Sequence, residues 1–158
     1  MAYKDLREFI DVLEQRGLLR RITAEVDPEL EITEITDRIS KLEGERNVAL
    51  LFENVKGSTM PVLMNAFGSY ERMALAFGVE KLDDVADELT ELLKIPHISL
   101  QNKMNLMTLI PMARKAINFP KYVKNAPCQE VVETEHPNLD NIPILKCWPD
   151  DGGPFVTL

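Results

Sequence analysis

Residues 48–52 read Val-Ala-Leu-Leu-Phe, five apolar side chains in a row between Arg46-Asn47 and Glu53-Asn54. The run is too short for a helix and lacks polar alternation, so it reads as a strand buried on both faces. The sequence on either side supplies candidate partners and cover. Upstream, Asp5 caps a first helix, and Glu8 three residues on completes a capping box. Leu6, Phe9, Ile10 and Leu13 share one face of that helix, and Gly17 ends it. Leu18–Val26 reads as a strand that alternates imperfectly around Arg20 and Arg21. Asp27-Pro28 then signals a helix start, with Leu30, Ile32, Ile35, Ile39 and Leu42 as its stripe and Gly44 as its stop.

Downstream, Lys56-Gly-Ser-Thr is turn chemistry and Pro61–Asn65 a further strand. Ser69 caps a short helix carrying Met73, Ala74 and Phe77, closed by Gly78. Leu82, Val85, Leu89, Leu92 and Leu93 define an amphipathic helix that Ile95-Pro96 breaks. Between His97 and Phe119 the pattern is mixed, with Pro111 opening a helix through Ile117 and Pro120 ending it. Gln129–Thr134 alternates as a strand around Val131 and Val132, and a proline-stiffened connector follows from His136. This alternation predicts an α/β fold, α+β being the variant: a layered sheet, mixed or parallel, with helices packed against it.

A chain of 158 residues suits one domain of ordinary size, and 45% hydrophobic with 28% charged residues is the composition of a globular protein. A formal charge of −8 argues against nucleic acid, whose phosphates need clustered Lys and Arg. No run approaches the apolar length of a membrane span, and charge from Lys4 onward argues against a signal peptide, so a cytoplasmic protein is expected. The two cysteines, Cys128 and Cys147, have no Cys or His at ligand spacing and read as free thiols in a reducing compartment.

Few side chains form a constellation that could carry chemistry. Asp150-Asp151-Gly152-Gly153 could offer oxygen ligands to a divalent cation, but Asp-Gly and Gly-Gly are also ordinary turn residues, and the turn is the better reading. The two glycines make no phosphate cradle, since Pro154 and apolar residues follow instead of a helix. His97 and His136 each sit beside a proline with no Ser, Cys or carboxylate at motif spacing, so both read as surface histidines. Met104, Met107 and Met112 read as core filling or as an apolar contact face. Asp83, Asp84, Asp87, Glu88 and Glu91 form an acidic helix face of the solvated kind. No residue is assigned as catalytic, cofactor-binding or metal-ligating.

The closing stretch runs Pro143-Ile-Leu-Lys-Cys-Trp-Pro-Asp-Asp-Gly-Gly-Pro-Phe155, and Phe155–Leu158 reads as the opening of a new strand. The stretch closely resembles the segment leading into the cofactor-binding domain of UbiD-family decarboxylases, the 3-polyprenyl-4-hydroxybenzoate carboxy-lyases and their relatives. Tyr3-Lys-Asp-Leu-Arg-Glu-Phe-Ile10, Leu51-Phe-Glu-Asn-Val-Lys-Gly57 and Pro61-Val-Leu-Met-Asn-Ala-Phe-Gly-Ser-Tyr-Glu-Arg-Met-Ala74 resemble the same family's N-terminal domain. The expected organisation is therefore an N-terminal α/β domain over 1–142, with 143–158 as linker and first strand toward a flavin-binding domain that is not in this chain.

The resemblance implies reversible, non-oxidative decarboxylation of an aromatic or α,β-unsaturated acid, in aromatic acid metabolism that includes ubiquinone biosynthesis. It implies prenylated flavin mononucleotide with Mn2+, or a similar divalent cation, and K+. It also implies the parent's own further domains and a homo-oligomer as partners. The family's catalytic Glu-Arg-Glu set and its metal ligands match no position here, so this chain by itself is expected to be inactive. It is also expected to expose an apolar tail surface and to self-associate. The alternative is a stand-alone binding or assembly subunit of a multi-subunit decarboxylase.

Overall fold

The computed structural model describes residues 3–93 and 122–156. The chain divides into two compact units, one formed by residues 1–81 with 138–158 and the other by 82–137.

In the first unit, α1 spans Leu6–Gln15, with the Asp5 carboxylate accepting the Glu8 N–H at 3.0 Å. The Glu8 carboxylate reaches back to the Lys4 N–H at 2.5 Å, so the box closes one residue before the cap. Gly17 takes φ +71°, which lets its N–H reach Glu14 O at 2.9 Å while the Leu18 N–H reaches Leu13 O at 2.8 Å. That paired closure turns the chain straight into strand β1, Leu19–Ile22. After it come α2, Glu31–Ser40, and β2, Ala49–Phe52. Strand β3, Val62–Met64, and α3, Tyr70–Phe77, complete the elements that build the core.

The sheet has order β1-β2-β3 and is mixed. β1 and β2 run parallel with Leu19 opposite Ala49, and β2 and β3 run antiparallel with Leu50 opposite Met64. All four β2 residues are buried, as the apolar run predicts, and the period of two divides them between two layers. Ala49 and Leu51 join Phe9 and Leu13 of α1 and Leu19, with Leu75 and Ala76 of α3 packed alongside. Leu50 and Phe52 join Ile32 of α2 with Val26, Val48 and Val55, and Ile35, Ile39 and Leu145 pack against that cluster. The α/β expectation holds, and the mixed alternative is the one realised.

Four boundaries differ from the sequence reading by more than one residue. The strand expected over Leu18–Val26 stops at Ile22, and Val26 returns as an isolated parallel bridge to Val55. The helix expected at Asp27-Pro28 begins at Glu31, because Pro28 O and Leu30 N–H are engaged by the backbone of Lys146. That helix ends at Ser40 and not at Gly44, the Asn47 side chain donating to the exposed Ser40 carbonyl at 2.9 Å. Gly44 opens a 3-10 turn, Gly44–Arg46, instead. Phe155 and Val156 carry no strand pairing, and the last two residues lie outside the described residues.

Asp27 also makes an ion pair. Lys56 Nζ lies 2.7 Å from Oδ2, and the Glu29 N–H donates to Oδ1 at 2.9 Å. The lysine first, then the backbone donor, hold this carboxyl below the usual aspartate range. A depressed carboxyl contributes stability above its unfolded value and loses it as pH falls through the folded one. Lys56→Met should therefore flatten the acid limb of urea midpoints taken between about pH 7 and about pH 3, by a small amount since the pair is exposed. An unchanged limb would show the pair to be indifferent to folding.

In the second unit, α4 spans Leu82–Leu93, as its apolar spacing predicts. Asp83 and Asp84 stand in its first turn, where the helix dipole favours carboxylates. The strand expected over Gln129–Thr134 is absent: Pro127–Gln129 is a 3-10 turn, and Val131 and Val132 are 82% and 67% exposed. β-Branched residues mark strands only where a neighbouring strand is at hand, and none of the described residues pairs with these. The helix expected from Pro111 lies outside the described residues.

Candidate functional site

The segment from Asn141 to Gly153 is part of the first unit, and it is where the sequence placed its most specific signal. Ser58 Oγ donates to Asn141 O at 2.9 Å, and Leu145 packs on the α2 side of the sheet. Lys146 forms an isolated parallel bridge with Glu29. Its carbonyl accepts the Leu30 N–H at 2.9 Å, its own N–H donates to Pro28 O at 3.3 Å, and its Nζ lies 3.1 Å from Glu29 Oε1. Beyond it, the Trp148 N–H donates to Asp151 Oδ2 at 2.9 Å and the Asp151 N–H to Trp148 O at 3.1 Å.

That reciprocal pair assigns Asp151: its carboxylate ties a turn, the reading the bare sequence favoured. Asp150 beside it is exposed. Among the described residues no group of three or more His, Cys, Asp or Glu could hold a metal ion.

Between this segment and α2 lies a cleft of about 450 Å³, lined by Leu30, Thr33, Glu34, Asp37, Cys147, Trp148 and Pro149. Its walls are mostly apolar, and the two rim carboxylates are engaged along the helix, Glu34 with Arg38 and Asp37 with Lys41, both at 2.6 Å. The Thr33 hydroxyl is buried without a partner. Among the described residues no basic side chain lines the cleft, where the Cys147 thiol is half-buried. The recess can hold an apolar group and offers no nucleophile–base pair.

A second cleft, about 420 Å³, opens where Arg21 meets Arg7, Asp11 and Glu53. Arg21 donates through Nε and Nη2 to Glu14 and through Nη1 to Glu53, each at 2.7 Å. The fork holds the Glu14 carboxyl below its usual range and pushes the arginine further up. With both carboxylates committed to one guanidinium, this is a clamp between α1 and the sheet, open to solvent.

The residue the sequence reading missed is Arg72. It lies in α3 with no exposed surface, one of its helix's two buried residues. Nη1 donates to Asn47 O at 2.6 Å and Nη2 to Asn47 Oδ1 at 2.9 Å, while Nε has no partner. Burial pulls its pKa below the usual arginine value. Asn65, at φ +55°, donates from Nδ2 to Asn47 Oδ1 at 2.9 Å and to Val48 O at 2.8 Å. The group fixes the entry of β2 and sets no chemistry in a cleft. Its only sequence signal is an arginine between the apolar positions of a short helix.

Gly68 closes this group. A Cβ there would lie 1.8 Å from Asn65 Oδ1 and 3.0 Å from Arg72 Nη2. Gly68→Ala should displace the Asn65 amide and lower the melting temperature by about 5–15 °C, from about 1–3 kcal/mol of lost hydrogen bonding. Differential scanning calorimetry reads it, and an unchanged melt would mean that the loop shifts freely.

The remaining sequence candidates do not converge. His136 and Cys128 are exposed, and Asp83 and Asp87 face solvent on α4. His97, Met104, Met107 and Met112 lie outside the described residues, as do the side chains of Glu88 and Glu91. Among the described residues no helix is long and apolar enough to cross a membrane.

Comparison with known proteins bears on this layout directly. Residues 10–92 match the family model of the 3-octaprenyl-4-hydroxybenzoate carboxy-lyase N-terminal domain, and residues 121–158 match that of its Rift-related domain. Vanillic acid decarboxylase of Sedimentibacter hydroxybenzoicus in its closed form is 33% identical over 96% of this chain, with a TM-score of 0.68. The UbiD-class enzyme HmfF of Pelotomaculum thermopropionicum, in an evolved dimeric form in complex with prFMN, is 26% identical over 96%, with a TM-score of 0.67. The same enzyme in complex with FMN is 26% identical over 94%, with a TM-score of 0.62. This chain spans 29%, 30% and 28% of the length of those three chains, respectively. With the N-terminal model matched across more than half of its residues, and the Rift-related model following in order, the chain belongs to the UbiD family of carboxy-lyases.

Proposed function

We propose that this chain is the N-terminal, non-catalytic portion of a carboxy-lyase dependent on prenylated flavin mononucleotide. The parent reversibly decarboxylates an aromatic or α,β-unsaturated acid of the 4-hydroxybenzoate type. The observation that carries this reading is the order of the two family matches, an N-terminal domain followed by the start of a Rift-related domain. The stand-alone assembly subunit is not favoured, since both family matches are to carboxy-lyase domains in order and the similar structures include a vanillic acid decarboxylase.

Among the described residues no donor set fits Mn2+, and Asp151 spends its carboxylate on the Trp148 turn. Gly152-Gly153 precedes no helix that could present amides to a flavin phosphate. The described residues do not fit these groups. We place prenylated flavin, the divalent cation and K+ on the rest of the parent, in keeping with the division in which a cofactor does the bond breaking and the protein positions it. The N-terminal unit, 1–142 in the sequence reading, then serves as the scaffold from which 143–158 leads toward the flavin domain. A cytoplasmic, homo-oligomeric enzyme of aromatic acid metabolism, ubiquinone biosynthesis included, completes the proposal.

Two preparations test it. The parent, produced with a source of prenylated flavin, should release CO2 from at least one member of a panel of hydroxybenzoic, cinnamic and heteroaromatic acids. No turnover across the panel with the cofactor loaded would defeat the assignment. The 158-residue chain should purify colourless; stoichiometric flavin on it would overturn the placement of the cofactor elsewhere.

A further inference from the structure

The start of α2 holds two incompatible instructions. Asp27 already behaves as a helix cap for a helix beginning at Pro28. Its Oδ1 accepts the Glu29 N–H at 2.9 Å, and the Glu31 carboxylate accepts the Asp27 N–H at 2.7 Å. Pro28 is well suited to the first helical position. Yet the turn so prepared is not taken. Leu30 stands at φ +68°, ψ −38°, and the Glu31 N–H donates to Glu29 O at 2.9 Å. An i to i+2 bond around a positive φ is a γ-turn of the rare, strained kind, and here it falls on a leucine.

What holds Leu30 there is the Lys146 segment. In the observed state, Leu30 N–H and Pro28 O bond to Lys146, and Lys146 Nζ pairs with Glu29. Were that segment to leave, the Ile32 N–H, which donates to Asp27 O at 3.3 Å in the docked state, would pass to the freed Pro28 O in an ordinary helical turn. The Leu30 N–H would then become one of the first-turn donors that a cap or water satisfies. The strain at Leu30 would be relieved at the same step.

We infer that residues 27–31 and 144–148 form a two-state strap. In the docked state Lys146 is bridged to Glu29, Leu30 is strained and α2 begins at Glu31. In the released state the bridge is open and α2 grows back by one turn to Pro28. Because Trp148 and its Asp151-tied turn follow Lys146 directly, seating the lead-in to the Rift-related domain and unwinding the first turn of α2 are one equilibrium. The inference rests on the geometry around Leu30 and Lys146 and stands whatever acid the parent decarboxylates.

The test is amide hydrogen exchange and Cα chemical shifts on the 158-residue chain. Leu30→Gly removes the penalty of positive φ and should raise protection of the Lys146 amide about tenfold. Leu30→Ala keeps that penalty, deletes the same side-chain contacts and should give no gain. Lys146→Pro removes both the donor to Pro28 O and the Nζ partner of Glu29 without altering a residue of α2. It should strip protection from the Leu30 amide by about tenfold or more and move the Cα shifts of residues 28–30 to helical values, while β2 amides stay protected. Equal protection in the Gly and Ala variants would overturn the strap, as would a Lys146→Pro chain whose residues 28–30 stay non-helical. Should Lys146→Pro fail to fold, the Gly-against-Ala comparison still decides.

Discussion

Phe52→Ala is expected to lower the unfolding free energy by about 3–5 kcal/mol, much of what a domain of this size commands. Phe52 is fully buried in the central strand, packed among Val26, Ile32, Leu50 and Val55. Truncation removes the transfer energy of the ring and leaves a cavity between β2 and α2. Two paired neighbours and a helix on each face give the strand little room to close that gap. Urea unfolding followed by far-ultraviolet circular dichroism measures the change. Tyr70→Ser is the control: its ring is 82% exposed on α3, so a shift within about 0.5 kcal/mol is expected. A loss under about 1 kcal/mol for Phe52→Ala would mean that the α2 layer collapses onto the sheet, and that the two-sided core has been misjudged.

Asn47→Ala should cost about 2–4 kcal/mol, although its side chain is neither apolar nor fully buried. Asn47 Oδ1 accepts from both Asn65 and Arg72, its carbonyl accepts from Arg72, and its Nδ2 donates to Ser40 O and Gly68 O. Removing the amide leaves a fully buried guanidinium with one backbone acceptor, and a helix-end carbonyl without its donor. Charge makes the difference, since a desolvated cation with lost partners is more costly than a lost neutral bond. The double variant with Arg72→Met should be less destabilised than the sum of the singles by about 1 kcal/mol or more, because the stranded charge is then absent. Strict additivity in that cycle would show that Asn47 acts on the loop alone and not through Arg72.

Local signals read correctly where neighbours in sequence supply the partners and no distant segment competes for them. The Asp5 and Ser69 caps bond within their own helices, and Gly17 and Gly78 end them with positive φ. The run Val48–Phe52 needed no partner to declare itself, because five apolar side chains in succession leave no solvent face. The same reasoning misread Gln129–Thr134, where valines suggested a strand that has no neighbour among the described residues. Asp150-Asp151 was legible as a turn, though only the coordinates show Asp151 closing on Trp148.

The sequence by itself determined the layered α/β class, the caps of α1 and α3, the two-sided central strand and the family. Each of these rests on spacing within a few residues or on matched stretches in order. Tertiary structure alone decided the mixed pairing, the burial of Arg72 and the late start of α2. Arg72 is buried because Asn47, 25 residues away, offers it two acceptors. The first turn of α2 is withheld because Lys146, 117 residues after Glu29, takes the backbone groups that a helix would have used. Short-range preference sets what each segment would do alone, and hydrogen-bond partners brought from far along the chain decide which of those preferences is kept.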